Sequence, residues 1–427
     1  MQHRFPAPAA RDPDRTRLPR PAPPAYLARM SAPLNPALLG AVPSPIMESK
    51  SWVQAAGRKG DPGFLDLSQA VPAGAPSIEI RRAMAEAALS DDTSGHLYGD
   101  VLGRAPLRAA IADQWSALYG GAIHADQVGV TAGANQAYCA AIASLAGAGD
   151  EVILPSPWYF NHKMWLDMNG IHAIPLACNQ DGLPDPTEAA RLFTPRTRAI
   201  ALVTPNNPTG VEYPDALLAE LMALAHSRGA ALILDETYRD YRSGEGAPHS
   251  LFQQPGWDDT LIHLYSFSKI MRLTGHRIGA MIASARRVAE IEKFLDTVTI
   301  CPNQLGQIGA LKGLETLEET AKAERAVFAS RRKALIDAFA ANPGGWRLLG
   351  SGAYFAYAEH PHDAPSPEIC RKLVEKAGLL FLPGTFFGPT RAEGGDGFAE
   401  RTCRIAFANV DEAGIAEMAR RLSAFTP

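Results

Sequence analysis

The chain is as informative in what it lacks as in what it holds. It contains no apolar run of roughly 18 residues or more, so no segment reads as a membrane-spanning helix. The five cysteines (Cys139, Cys178, Cys301, Cys370 and Cys403) are scattered, with no Cys-x-x-Cys pair. That spacing excludes a disulfide framework or a zinc site and fits reduced thiols in a cytoplasmic protein. A formal net charge of -4 leaves no basic footprint for nucleic acid. No metal site is expected, no internal repeat is visible, and no Gly-Lys-Ser/Thr phosphate loop occurs. What remains is an ordinary globular composition, 46% hydrophobic and 20% charged, in 427 residues. This length suits two or three domains and a large core.

Residues 1–30 stand apart. They are rich in Pro, Arg and Ala and lack the apolar stretch of a secretory signal. They are expected to be a disordered or non-native extension. From about residue 127 the chain alternates short apolar runs with helical patterns. Strands are expected at 127–131, 151–154, 198–203, 230–234, 260–264 and 278–283, with helices at 135–146 and 214–227. Near-continuous apolar strands alternating with helices indicate a mostly parallel sheet covered on both faces. After residue 286 a long helical region, broken near Pro302, runs to about 341. Short strands follow near 346–349, 354–358, 379–382 and 403–407. The expected division is an N-terminal segment 31–75 joining the small domain, a large domain 76–315, and a small α+β domain 316–427.

Four motifs carry chemistry. Tyr265-Ser266-Phe267-Ser268-Lys269 follows a strand, and Arg277 lies eight residues beyond the lysine. An imine-forming lysine needs a positioned, neutral amine. Two hydroxyls and a guanidinium beside it suit a phosphate. The plain alternative is a surface lysine after a strand. Thr204-Pro205-Asn206-Asn207-Pro208-Thr209-Gly210 is either a turn or a rigidly held carboxamide. Asp235, in Leu234-Asp235-Glu236-Thr237-Tyr238, ends an apolar strand where open α/β sheets bind ligands. It is either a helix cap or a carboxylate paired with a buried cation such as a pyridinium nitrogen. Thr131-Ala132-Gly133-Ala134-Asn135-Gln136 is either a tight turn or a junction that lets backbone N–H groups approach an anion.

Together these motifs resemble the class I/II aminotransferases of the pyridoxal-phosphate-dependent fold-type I superfamily. The resemblance runs from about residue 33 to 425. It implies an α/β fold whose large domain holds a mostly parallel seven-stranded sheet beside a smaller α+β domain. It implies pyridoxal 5'-phosphate as cofactor and a transaminase that moves an amino group from an L-amino acid to a 2-oxo acid. Lys269 would hold the cofactor as a Schiff base and move the proton at Cα. Asp235 would bind the ring nitrogen. Asn207 and Tyr238 would donate to the phenolic oxygen, and Tyr159 would stack on the ring. Ser266, Arg277, Ala134 and Asn135 would hold the phosphate. Tyr98 resembles a tyrosine that reaches the phosphate of a neighbouring subunit, which implies a homodimer. Arg404 would clamp the substrate carboxylate, with Ala70 and Asn207 also at the substrate. Ala70 stands where many members have glycine, so the pocket is expected to differ there.

Other residues are less telling. Arg401 is read as a solvated charge on the opposite strand face from Arg404, and His162 as a pocket-wall residue. Trp52, Tyr159 and Tyr354 either line an aromatic pocket or pack the core. No second arginine for a side-chain carboxylate is assignable. A β-eliminating lyase on the same scaffold is the alternative activity. A cofactor-responsive regulator is not expected, because no helix-turn-helix pattern precedes the fold.

Overall fold

The computed structural model describes residues 33–427. The extension expected at 1–30 lies outside the described residues, as do the first two positions of the segment expected at 31–75. In chain order the strands are β1 (Leu65–Asp66), β2 (Val128–Thr131), β3 (Glu151–Ser156), β4 (His172–Ala177), β5 (Thr197–Val203), β6 (Ala231–Asp235) and β7 (Leu261–Ser266). They continue with β8 (Gly279–Ile282), β9 (Arg347–Gly352), β10 (Phe355–Glu359), β11 (Leu379–Leu380), β12 (Leu382–Pro383) and β13 (Thr402–Ala406).

Seven of these form one sheet in the order β2-β8-β7-β6-β5-β3-β4. All neighbouring pairs are parallel except those that β8 makes with β2 and β7. The alternation of side chains explains why these strands are apolar throughout. In β6, Leu232 and Leu234 enter one core, whereas Ala231 and Ile233 enter the other. Each face is covered by helices, so both sets of side chains leave water. A fully buried leucine contributes about 1.5–3 kcal/mol of apolar transfer in such a place.

The expected strands are present, with ends moved by one to three residues; besides the two-residue β1, the strand that the sequence did not reveal is β4. Its exposure alternates and it carries Pro175. It lies at the sheet edge beside β3 alone, where a missing N–H is tolerated. The long helical region resolves into helices Ala285–Thr299, Gln304–Leu314 and Leu317–Ala340. Ser284 and Asn303 cap the first two, accepting bonds from Arg287 N (3.3 Å) and Gly306 N (2.6 Å).

A second sheet, β12-β13-β10-β9, is antiparallel. The run expected at 379–382 is divided: β11 pairs in parallel with β1, and β12 pairs with β13. The N-terminal segment is thereby tied to the C-terminal part of the chain. Arg401 does not lie on the strand opposite Arg404. It ends the short helix Phe398–Arg401, and its Nε is 3.2 Å from Glu359 Oε1. The strand begins only at Thr402, so strand alternation does not reach it. Among the described residues, no helix is long and apolar enough to cross a membrane.

Candidate active site

Strand direction gathers the motifs on one edge of the large sheet. Asp235 is the last residue of β6, Ser266 the last of β7, and Asn207 follows β5 by four positions. Gly133 and Tyr159 follow β2 and β3 in the same way. Because β8 runs the other way, Arg277, just before its start, arrives at this same edge. This is where open α/β sheets place ligands.

Lys269 lies beside that edge. Its Nζ donates to the Ala70 carbonyl (3.2 Å) and sits over the Tyr238 ring, 5.5 Å from the centroid. Burial, reinforced by the Arg277 charge, pushes its pKa down to about 8, against the pull of Asp235. An amine so placed is available as a base or a nucleophile near neutral pH.

The Asp235 side chain is buried. Its Oδ1 accepts from Thr237 N (2.9 Å), and its Oδ2 is 3.4 Å from His162 Nε2. Burial alone would raise its pKa, but His162 and the Thr237 bonds outweigh burial and hold the carboxyl below its usual range. The His162 ring lies flat on Tyr138 (3.7 Å between centroids, 11°) and meets Tyr159 edge-on (5.0 Å, 79°). His162 is therefore a wall that also faces the carboxylate, consistent with the sequence expectation. The next residue, Glu236, turns away from the site. Its Oε2 is 2.8 Å from His263 Nε2 and 3.4 Å from His249 Nε2. Close by, the Arg239 guanidinium lies over Trp115 (3.7 Å) and Tyr265 (4.5 Å). This buried network fixes the chain leaving β6.

Asn207 joins two parts of the site. Its Nδ2 donates to the Tyr238 hydroxyl (3.3 Å), and its Oδ1 accepts from Arg404 Nη1 (2.9 Å). Burial raises the pKa of Tyr238, which keeps the phenol neutral and able to donate. Arg404 comes from the middle of β13, opposite Tyr357 and Leu382. Its Nη2 donates to the Ser68 carbonyl (2.6 Å), while its buried Nε has no protein partner. Burial lowers its pKa to about 10, so it remains a cation at neutral pH. Phe355 and Phe387 flank the guanidinium, with centroids 5.3 and 5.2 Å away. A planar cation with one donor unpartnered and aromatic rings on its flanks is suited to a carboxylate.

The anion cradle is built at the start of the helix Ala134–Ala143, whose cap residue Gly133 contributes no side-chain bond. Gly133 has φ +86°, and a Cβ there would collide with Arg277 Nη2. A Cβ on Gly279 would stand 2.6 Å from Ala134 N. Both glycines allow close approach of the guanidinium and the helix start, which is the geometry that receives a phosphate. Arg277 Nη1 also reaches Ser268 Oγ (3.4 Å). Ser266 Oγ accepts from Ser268 N (3.2 Å), so the two serines act together; the sequence reading named only the first as a holding residue. Tyr159 OH is 3.4 Å from Asn135 Oδ1 and accepts from Asn161 Nδ2 (2.9 Å).

Three further residues singled out in the sequence have other surroundings. Tyr98 is 81% exposed and lies outside this cluster. Tyr354 is fully buried and donates its hydroxyl to Ala70 O (3.0 Å). Trp52 packs with Phe386, 6.1 Å between centroids. The roles of the Ser68 and Ala70 carbonyls escaped the sequence reading, since a backbone group leaves no mark in residue type.

Residues 62–422 match the family described as aminotransferase class I and II. The chain belongs to the class I and II aminotransferases. It is 30% identical to an arginine–pyruvate transaminase of Pseudomonas aeruginosa over 75% of this chain and 82% of that protein. It is also 30% identical to a valine–pyruvate aminotransferase of Mycobacterium tuberculosis, over 92% and 98%. Among solved structures, N-succinyldiaminopimelate aminotransferase of M. tuberculosis superposes with a TM-score of 0.81 at 26% identity, covering 92% of this chain and all of that one (100%). A mutant aspartate aminotransferase of Thermus thermophilus, at 22% identity, shares the fold with a TM-score of 0.82 over 92% of this chain and 99% of that one. This aminotransferase is therefore a pyridoxal-phosphate-dependent transaminase of fold type I that transfers amino groups between amino acids and 2-oxo acids. The site suits that cofactor: a lysine amine whose pKa is lowered, a buried carboxylate, neutral donors and an anion cradle converge on one edge.

Proposed function

We propose that Lys269 binds the cofactor through its amine and carries the proton between the substrate Cα and the cofactor's C4′ position. When bound, pyridoxal phosphate supplies the aldehyde that takes up the amino group and a ring that accepts the electron pair left at Cα. Asp235 holds the proton on the ring nitrogen, and His162 holds Asp235. Asn207 and the neutral Tyr238 phenol donate to the ring oxygen. Tyr159 stacks on the ring. Ser266, Arg277 and the N–H groups of Ala134 and Asn135 would hold the cofactor's phosphate. Arg404 binds the substrate carboxylate, and the segment through Ala70 closes over the substrate and excludes water.

The observation that carries this reading is the convergence at one end of the large sheet of the Lys269 amine over the Tyr238 ring, the Tyr238–Asn207–Arg404 chain of hydrogen bonds, Asp235 at the end of β6, and Arg277 against Gly133. Borohydride reduction of the loaded enzyme, followed by peptide mass mapping, tests it: the label belongs on Lys269. Following amine transfer to a 2-oxo acid against ammonia release separates transamination from elimination. Pyruvate is the first acceptor to try, since two relatives are named for it.

We further propose a homodimer in which Tyr98 enters the neighbouring subunit's phosphate site. Tyr98 is 81% exposed and Leu97 61%, an apolar surface that favours a partner. The proposed division at 31–75, 76–315 and 316–427 is supported by the seven-stranded sheet lying within the middle part and the four-stranded sheet within the last, while β1 of the N-terminal segment pairs with β11 of the last part. A cytoplasmic location accords with five free thiols. Light scattering, limited proteolysis and cell fractionation respectively check these three readings.

A further inference from the structure

The chain from β1 onward is held at several points by residues at or beside the small sheet. Ala406 N donates to Leu67 O (2.7 Å) and Arg404 Nη2 to Ser68 O (2.6 Å). Asn409 grips it further on, donating to Val71 O (3.0 Å) and accepting from Ala73 N (2.5 Å). Between these lies Ala70, whose carbonyl accepts twice: from the Tyr354 hydroxyl (3.0 Å) and from Lys269 Nζ (3.2 Å). The Tyr354 ring cannot wander. It meets Tyr241 (5.0 Å, 77°) and Tyr238 (5.7 Å, 87°) edge-on and packs against Phe328 (5.3 Å). Its hydroxyl is therefore a fixed point, and so is the oxygen bound to it.

We propose that Tyr354 is a positioning residue for proton transfer: its hydroxyl fixes the Ala70 carbonyl, and that carbonyl orients the Lys269 amine. The inference rests on Lys269 being the proton carrier. A neutral primary amine has one lone pair and, about its terminal C–N bond, three staggered orientations. A lone pair directed at the Ala70 oxygen is repelled, whereas an N–H directed there is bonded. The fixed carbonyl thus removes one of the three lone-pair orientations, the one toward Ala70, and narrows the base to the remaining two. It also ties the amine to the segment that closes the site, so closure and orientation of the base are one event. A mere need to satisfy a buried phenol explains the Tyr354 bond but not its sharing of an acceptor with the reactive amine.

Tyr354→Phe keeps the ring and removes the hydroxyl. In the cofactor-free protein, labelling of Lys269 by acetic anhydride, read by peptide mass mapping, is expected to rise about threefold or more as the carbonyl loosens. In the loaded enzyme, kcat is expected to fall roughly tenfold with KM little changed, and the isotope effect from Cα-deuterated substrate to grow, because proton transfer becomes more limiting. Asn409→Ala frees Val71 and Ala73 but leaves the Tyr354–Ala70 bond, so its isotope effect should stay near that of the parent enzyme. An equal rise there would assign the effect to the segment as a whole and overturn the role of Tyr354. So would unchanged labelling and isotope effect in Tyr354→Phe or, should the phenylalanine variant not fold, in Tyr354→Met, which also lacks the hydroxyl. Failure of borohydride to label Lys269 in the parent enzyme would instead remove the underlying assignment.

Discussion

Asn207 Oδ1 and Arg404 Nη1 are 2.9 Å apart, though 197 positions separate them in the chain. One belongs to the loop after β5 of the large sheet, the other to β13 of the small sheet. The same carboxamide donates to Tyr238, so the residues placed at the ring oxygen and at the substrate carboxylate share one planar group. A carboxylate arriving at Arg404 must fit beside this bond and the bond to Ser68 O. The unpartnered Nε leaves a donor for it.

Arg404→Ala should therefore raise KM for every amino-acid substrate while the cofactor remains bound. Losing one partner of a buried charged pair costs on the order of 2–5 kcal/mol, or roughly 30-fold and upward. Arg404→Lys should recover little, because a point charge replaces a fork. Steady-state kinetics beside the cofactor absorbance decide this; unaltered KM values in the alanine variant would discard the assigned role.

The amine of Lys269 yields a pH prediction with a definite sign. Burial disfavours its charged form, so the folded value of about 8 lies below the ordinary 10.5. Above pH 8 the amine is mostly neutral and reactive. Below it, the rate at which cofactor-free protein takes up pyridoxal phosphate should drop about tenfold per pH unit, once titration of the reagent is allowed for. Stopped-flow absorbance gives that profile. A rate still climbing steeply towards pH 10 would mean that the lysine is not perturbed.

Gly133→Ala adds a methyl group where φ is +86° and the Arg277 guanidinium already stands. Backbone strain of about 1–3 kcal/mol is expected. More tellingly, displacement of Arg277 should weaken cofactor binding by roughly tenfold or more. Equilibrium dialysis measures the binding and urea unfolding the strain. Stability loss without any change in affinity would separate Gly133 from the cradle.

How much of this was legible beforehand depends on what kind of group does the work. Lys269, Asp235, Asn207 and Arg277 could be singled out because their motifs taken together resemble the family, although each alone admits an ordinary reading. The apolar runs of β5, β6 and β7 were equally plain, because both faces of those strands are buried. β4 escaped, since an edge strand with Pro175 and solvent on one side lacks that signature. Arg401 was misplaced because a one-turn helix delays the start of β13. The Ala70 and Ser68 carbonyls were invisible in principle: every residue has one, and only the fold decides which meets Lys269 or Arg404.

Asp235→Asn retains the shape and the bond to Thr237 N but removes the charge that His162 faces. A neutral partner no longer favours a protonated ring nitrogen. The expected loss in kcat is on the order of 10²- to 10³-fold, the scale of one misplaced electrostatic group in a buried site. Cofactor binding should persist, with an altered absorbance spectrum. Full activity would show that Asp235 is only the cap suggested by its bond to Thr237.

The exposed position of Tyr98 allows a test that needs no structure of the assembly. A Lys269→Ala subunit retains a good Tyr98, and a Tyr98→Ala subunit retains a good Lys269. Each homodimer has two defective sites. In a mixed dimer, the site built on the intact Lys269 receives Tyr98 from the other subunit and becomes complete, while the second site carries both defects. Random re-association from equal amounts gives about half mixed dimers, so about a quarter of all sites should regain full activity. If Tyr98 served its own subunit, mixing would restore nothing, and activity would stay at the average of the two parents.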